Sequence, residues 1–216
     1  MLGTTLDHLV VAAATLEAGV AHVEQMLGVT VPFGGKHPLM GTHNCLMKLG
    51  DSSFLEIVAI DPEAPMPDHP RWFSLDEPDI NAALTVQPRL HTWLCRTDDI
   101  AGAVAASPVS LGTIQTGRRG NLEWLITVPE DGSMPESGLF PMLIQWPESL
   151  GPNGPIPRMA DLGCSLEKLS LTAPGPDKLK TALDAIGFEG PAEIGSGRPG
   201  GLVARINTPG GLRELR

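Results

Sequence analysis

Three stretches of the chain repeat one order of apolar patterning. Each opens with a short strand-like run, passes into a stretch with helical spacing, and returns through short apolar runs broken by Gly and Pro. In the first stretch, Leu6 to Ala12 reads as a strand through β-branched Val10 and Val11. Thr15 is placed as an N-cap, and Leu16 to Leu27 carries a helical stripe of Leu16, Val20, Val23 and Leu27 that Gly28 ends. Strands over Val29–Phe33, Cys45–Leu49 and Phe54–Ile60 complete the unit, and Asp61-Pro62 closes it.

The second stretch predicts a strand over Pro88–Arg96, a short helix from Asp98 or Asp99 to Pro108, and strands at Leu111–Thr116, Leu122–Val128 and Leu139–Trp146. The third predicts a strand over Glu167–Thr172, a helix over Pro176–Ile186, and strands at Ala192–Ser196, Leu202–Ile206 and Leu212–Leu215. The acidic stretch Pro62 to Asn81, with Trp72 and Phe73 in its middle, reads as a linker, a lid or a short helical excursion whose aromatics anchor it to the body. Pro147 to Pro157 is a Gly/Pro-rich joint. It divides the chain into residues 1–150, two paired units, and 151–216, a third unit that caps the pair or mediates assembly. The predicted class is α+β. A single β-α-β-β-β unit leaves open edges and a bare sheet face, and pairing two units covers both.

Composition narrows the function. Gly 25 and Pro 21 in 216 residues suit short strands with many turns. A formal charge of −10 argues against a nucleic-acid partner, because a phosphate-binding face needs concentrated Lys and Arg. The one tight basic pair is Arg118-Arg119, which reads either as a site for an anionic substrate or as a solvated turn. Three cysteines, none closely spaced, argue against a disulfide framework and for a reducing compartment. With no apolar stretch of membrane-spanning length, the expectation is a cytoplasmic protein that acts on a small molecule.

His8 and Glu56 are polar residues inside apolar runs, in the opening and closing strands of the first unit. If those strands are neighbours, imidazole and carboxylate converge, and such a pair binds a divalent metal or passes protons. The alternative is that both alternate outward to solvent. His37 and His43 flank a shaped, Gly-containing segment with Asn44. Either histidine could be a general base or an oxyanion orienter, or could stabilise the turn. Trp93, Trp124 and Trp146 lie in strands of the second unit and supply either a pocket wall or core, with Trp146 the better rim residue.

These residues carry a resemblance. Leu6-Asp7-His8-Leu9-Val10-Val11, Gly34-Gly35-Lys36-His37-Pro38 with Gly41-Thr42-His43-Asn44, Phe54-Leu55-Glu56-Ile57, and Phe140 through Trp146 resemble the glyoxalase-like domain proteins of the vicinal oxygen chelate superfamily. The resemblance implies two β-α-β-β-β units forming an open barrel-like cup. It also implies a divalent metal (Zn, Mn, Ni, Fe or Mg) held by His8, Glu56 and Gln145, with Thr92 aligned opposite His8. His43, Glu56 and His37 become candidate catalytic groups, and Asn44, Trp93 and Trp146 candidate substrate contacts. The implied function is a metal-assisted isomerase or lyase for a small oxygenated substrate. The alternative is a protein of the same fold that only binds or sequesters a small molecule. A homodimer is the expected assembly.

Overall fold

The structure is a computed structural model and describes residues 3–216. The first unit consists of β1 (Thr4–Ala12), α1 (Leu16–Leu27), β2 (Phe33–His37), β3 (Thr42–Lys48) and β4 (Phe54–Ile60). The helix has the expected ends. Thr15 accepts a hydrogen bond from the Ala18 amide, and Gly28 adopts φ 73°, the left-handed conformation that closes a helix at low cost. After α2 (Pro78–Val86), which is the helical part of the acidic segment, the second unit runs through β5 (Arg89–Arg96), α3 (Ile100–Ala106), β6 (Thr113–Arg119), β7 (Leu122–Val128) and β8 (Met142–Gln145).

The two units form one curved sheet in the order β2-β3-β4-β1-β5-β8-β7-β6. Each half repeats the same plan: its last strand runs parallel to its first, and the two first strands meet antiparallel at the centre. The sheet curls until β2 and β6 approach each other, which makes a near-closed barrel. Alternation then divides the side chains. Leu9, Val11, Met47, Ile57, Trp93, Cys95 and Leu143 point outward to the helices, whereas Val10, Val58, Leu94, Trp124, Ile126 and Ile144 point inward.

The third unit comprises β9 (Ser165–Ala173), α4 (Pro176–Ala185), β10 (Phe188–Glu189), β11 (Ala192–Ser196), β12 (Gly201–Thr208) and β13 (Gly211–Leu215). Its strand order, β11-β9-β12-β13, differs from that of the other two units, because β9 lies between two partners and the last strand does not return to it. The two-residue β10 escapes sequence patterning and adds to β1 at Thr4 and Thr5. Leu169, Leu171, Leu183, Ile206 and Leu215 share one core with the outer face of the barrel. The third unit therefore finds its partner surface within the chain. Among the described residues no helix is long and apolar enough to cross a membrane.

Two strand predictions shift. β2 begins at Phe33, which is 60% exposed, rather than running from Val29. The closing strand of the second unit starts at Met142, because the backbone from Pro135 to Gly138 forms a tight turn with Glu136 and Ser137 at positive φ.

Candidate functional site

The cup is organised by an irregularity in β1. Leu6 pairs with Cys95 and His8 with Leu94, so Asp7 has no residue opposite it on β5. Such a bulge breaks strict alternation and re-aims side chains. Both Asp7 and His8 are buried, and Asp7 Oδ2 lies 2.7 Å from His8 Nδ1. On the other side of the ring, His8 Nε2 faces Glu56 Oε2 at 3.4 Å. The arrangement is a chain of carboxylate, imidazole and carboxylate. Trp146 Nε1 donates to the other oxygen of Asp7 at 3.0 Å, and Arg96 approaches that oxygen at 3.6 Å. Phe54 stacks on the His8 ring at 4.3 Å, a favourable placement for a cation.

Charge follows from this geometry. Burial alone would lower the His8 pKa, but the Asp7 hydrogen bond and the charges of Asp7 and Glu56 outweigh it and raise it to about 9. Burial would likewise raise the Glu56 pKa, yet the adjacent His8 cation, with Asn44 donating to Oε1 at 2.7 Å, lowers it to about 2. These shifts favour the imidazolium form of His8 beside an ionised Glu56. His37 behaves oppositely. Burial between Trp72 and Trp124 lowers its pKa to about 4, and it stays neutral. Its Nδ1 lies 3.0 Å from Thr42 Oγ1 and its Nε2 3.3 Å from Asn44 Nδ2.

Gly34 and Gly35 have distinct spatial reasons. A Cβ at Gly34 would lie 2.5 Å from Asn44 Oδ1, so this glycine makes room for the amide that holds Glu56. A Cβ at Gly35 would lie 2.5 Å from Arg119 Cδ, so this glycine lets the arginine stem cross β2 at the barrel seam.

Two covers close the cup. Trp72 and Phe73 press on it from the acidic segment, pinned by the Arg71 to Asp76 ion pair at 2.6 Å and by His91 Nε2 donating to Phe73 O at 2.9 Å. From the joint after β8, Pro155 and Met159 line the other side, with Ile156 packed on Leu46 and Phe54. The space left beside His8, His37, Asn44 and Glu56 is about 40 Å³. A single water needs about 10–15 Å³ of such space, so the cup has room for a few waters or a fragment of similar size. A larger cleft of about 900 Å³ lies near Pro108, Leu139, Pro174 and Leu179. Its charged residues are exposed, and it has no paired acid and base resembling those of the cup.

Several expected site residues face elsewhere. Gln145 lies between Ile144 and Trp146, which line the cup, so alternation turns it to the opposite face, where its Oε1 accepts from the Ile100 amide and caps α3. Trp93 is fully buried in the outer core, donating to Leu139 O at 3.0 Å and packing edge-on against Phe188. His43 follows the outward parity of Cys45 and Met47. Its Nδ1 is 4.0 Å from Asp61 Oδ1, and its Nε2 is buried without a partner. Thr92 keeps the position in β5 that corresponds to His8 in β1, since His8 pairs with Leu94 and Val10 with Thr92, and it offers a hydroxyl 3.4 Å from Gly138 O in place of an imidazole. His8, His37, Asn44, Glu56 and Trp146 do come together. Sequence reasoning missed Asp7, although two consecutive polar residues in an apolar strand are the mark of a bulge.

The fold family implies a divalent metal, and the donors present do not fit one. His8 Nε2 and Glu56 Oε2 face each other at 3.4 Å, and Gln145, the third expected donor, points to the opposite face and caps α3. The second half lines the same space with Arg119, Trp124, Ile126, Ile144 and Trp146, none of which is a metal ligand. Among the described residues no group of three or more His, Cys, Asp and Glu side chains could hold a metal ion.

A family model described as a glyoxalase-like domain matches residues 6–187. The chain belongs to the glyoxalase-like domain family. Its barrel is the vicinal oxygen chelate fold. No curated protein matches the chain. A hypothetical protein from Staphylococcus aureus has a similar architecture, with TM-score 0.60 and 13% identity over 91% of this chain and 87% of that one. The methylmalonyl-CoA epimerase of Mycobacterium tuberculosis overlaps less well, with TM-score 0.43 and 19% identity over 67% of this chain and 89% of that one. The first likeness is one of fold, and the second is too weak to carry a functional parallel.

Proposed function

We propose that this glyoxalase-like cup transfers a proton on a small carbonyl compound, as an isomerase or lyase working through its own side chains. The observation that carries this reading is the buried Asp7, His8 and Glu56 chain at the closed end of the cup. A substrate carbonyl oxygen beside His8 Nε2 would receive a hydrogen bond from the imidazolium, and Glu56 Oε2 would take the proton from the neighbouring carbon. Negative charge then moves from Glu56 to the substrate oxygen. His8 remains between two anions throughout, so the local charge is conserved. The coupling that keeps Glu56 weakly basic at rest relaxes as the oxyanion forms. Return of the proton to another atom gives isomerisation, and departure of a group from the adjacent carbon gives elimination. Asn44 orients Glu56, and Asp7 fixes and charges His8. Neutral His37 orders the amide beside it.

A metal-assisted form of this reaction would need a neutral His8 and a donor in place of Gln145. A second reading, sequestration without chemistry, draws on the aromatic lining of Phe54, Trp72, Trp124 and Trp146. The two readings separate in heavy water. With a panel of small ketones, keto acids and hydroxy acids, the proposed chemistry predicts deuterium incorporation at the carbon beside the carbonyl, read by proton NMR. His8→Gln and Glu56→Gln should each slow exchange by about 100-fold or more. Compounds that bind without exchanging in the unaltered protein would replace this reading with sequestration.

A further inference from the structure

Arg118 and Arg119 are neighbours in sequence but differ in surroundings. Arg118 points outward and pairs with Glu123 at 2.7 Å. Arg119 points inward over the Gly35 notch, lines the cup, and makes no ion pair or side-chain hydrogen bond among the described residues. It also lines a groove of about 320 Å³ just outside the cup, with Phe33, Leu122, Pro155, Met159 and Arg158. Arg158 is exposed and likewise without an ion-pair partner among the described residues. The groove and the cup share Leu46, Arg119, Pro155 and Met159 in their walls. In a chain of net charge −10, two guanidinium groups without ion-pair partners among the described residues flank one apolar groove beside Asp7, His8 and Glu56.

We infer that the substrate carries an anionic head, carboxylate or phosphate, joined through an apolar stretch to its reacting end, and that the head docks on Arg119 and Arg158 outside the cup. The identity of the reacting end rests on the acid–base reading above; the docking of the head does not. A cup of about 40 Å³ admits only the few atoms that react, so the remainder of a larger substrate has to lie outside. The groove supplies apolar contact through Phe33, Leu122 and Met159, and Arg presents a planar fork that matches carboxylate and phosphate oxygens. The missing Cβ at Gly35 leaves room for the Arg119 stem to lie across β2 towards the groove.

The probes are octanoate, octyl phosphate and 1-octanol, titrated into the full chain with tryptophan fluorescence as the readout. Both anions should bind at least about ten-fold more tightly than the alcohol, and Arg119→Gln and Arg158→Gln should each weaken the anions by about five-fold or more while leaving the alcohol unchanged. Anion binding should also weaken as salt rises. A preference for one anion over the other names the head group and supports the docking in either case. Octanol binding as tightly as the anions, or either variant keeping anion affinity within about two-fold, would overturn the proposal. Unchanged unfolding midpoints guard against loss of fold. A His8 that titrates like a free imidazole would remove the acid–base reading and leave the docking result standing, and the converse outcome would leave only the acid–base reading.

Discussion

The two halves of the barrel share a plan but not a chemistry. In the first half, the cup face of β1, β3 and β4 presents His8, Asn44 and Glu56, and the bulge adds Asp7. In the second half, β5 places Leu94 opposite His8, while β7 and β8 present Trp124, Ile126, Ile144 and Trp146. One half therefore holds the acid–base groups, and the other supplies an apolar wall with a single cation, Arg119, in its lining. That division explains the charge state. An imidazolium flanked by two carboxylates is stable in a buried site only when its partners are close, and the apolar wall opposite makes each of those interactions stronger than it would be in water. Repetition has supplied a container here, and one half carries the paired acid and base.

The sharpest way to break this contrast is to remove a partner from each half. Asp7→Ala leaves a buried cation short of one carboxylate and should cost about 3–5 kcal/mol by urea unfolding. Leu94→Ala should cost a similar amount, about 2–5 kcal/mol, through the cavity it leaves. The discriminating feature is pH. The loss in Leu94→Ala should be nearly constant from pH 6.5 to 9, whereas Asp7→Ala should flatten the pH dependence of the parent protein over that window.

That pH dependence follows from proton linkage. Above pH 6.5 the unfolded chain has released the His8 proton while the folded protein holds it up to about pH 9, so stability falls as pH rises through this window, by roughly 3 kcal/mol in all. Below pH 6.5 the signs reverse for His37 and His91. Both are held neutral down to about pH 4, so the unfolded chain binds more protons and stability falls as pH drops. The unfolding midpoint should therefore peak near pH 6.5. A protein whose stability is flat from pH 6.5 to 9 would not contain the proposed trio.

The smallest effect belongs to Gln145. As a cap on α3, its replacement by Ala should cost about 1 kcal/mol and leave the His8 titration unaltered. A large change in that titration would place Gln145 functionally back in the cup.

Most of the architecture was legible because it rests on local signals. The Thr15 cap, the Gly28 terminator and the β-branched runs fix α1, β1 and β4 without tertiary information. The convergence of His8 and Glu56 was also legible, since two polar residues in parallel apolar strands of one unit had an evident common destination. What failed was parity. Whether Gln145 or Ile144, and whether His43 or Asn44, faces the cup depends on strand register, and one residue of slip exchanges the two faces. The bulge at Asp7 is set by pairing with β5, about ninety residues away in sequence. Trp72 and Phe73 were read as anchors, and they are also part of the cup wall, because the segment carrying them folds over its mouth.

The central claim is that His8 is an imidazolium held by Asp7 and Glu56, and it is tested most directly by nitrogen-15 NMR of the imidazole across pH. The account predicts that both His8 nitrogens remain protonated through neutrality and titrate near pH 9, and that Asp7→Ala lowers that value. A His8 that is neutral at pH 7, with Nε2 unprotonated as it would be in a metal ligand, would contradict it.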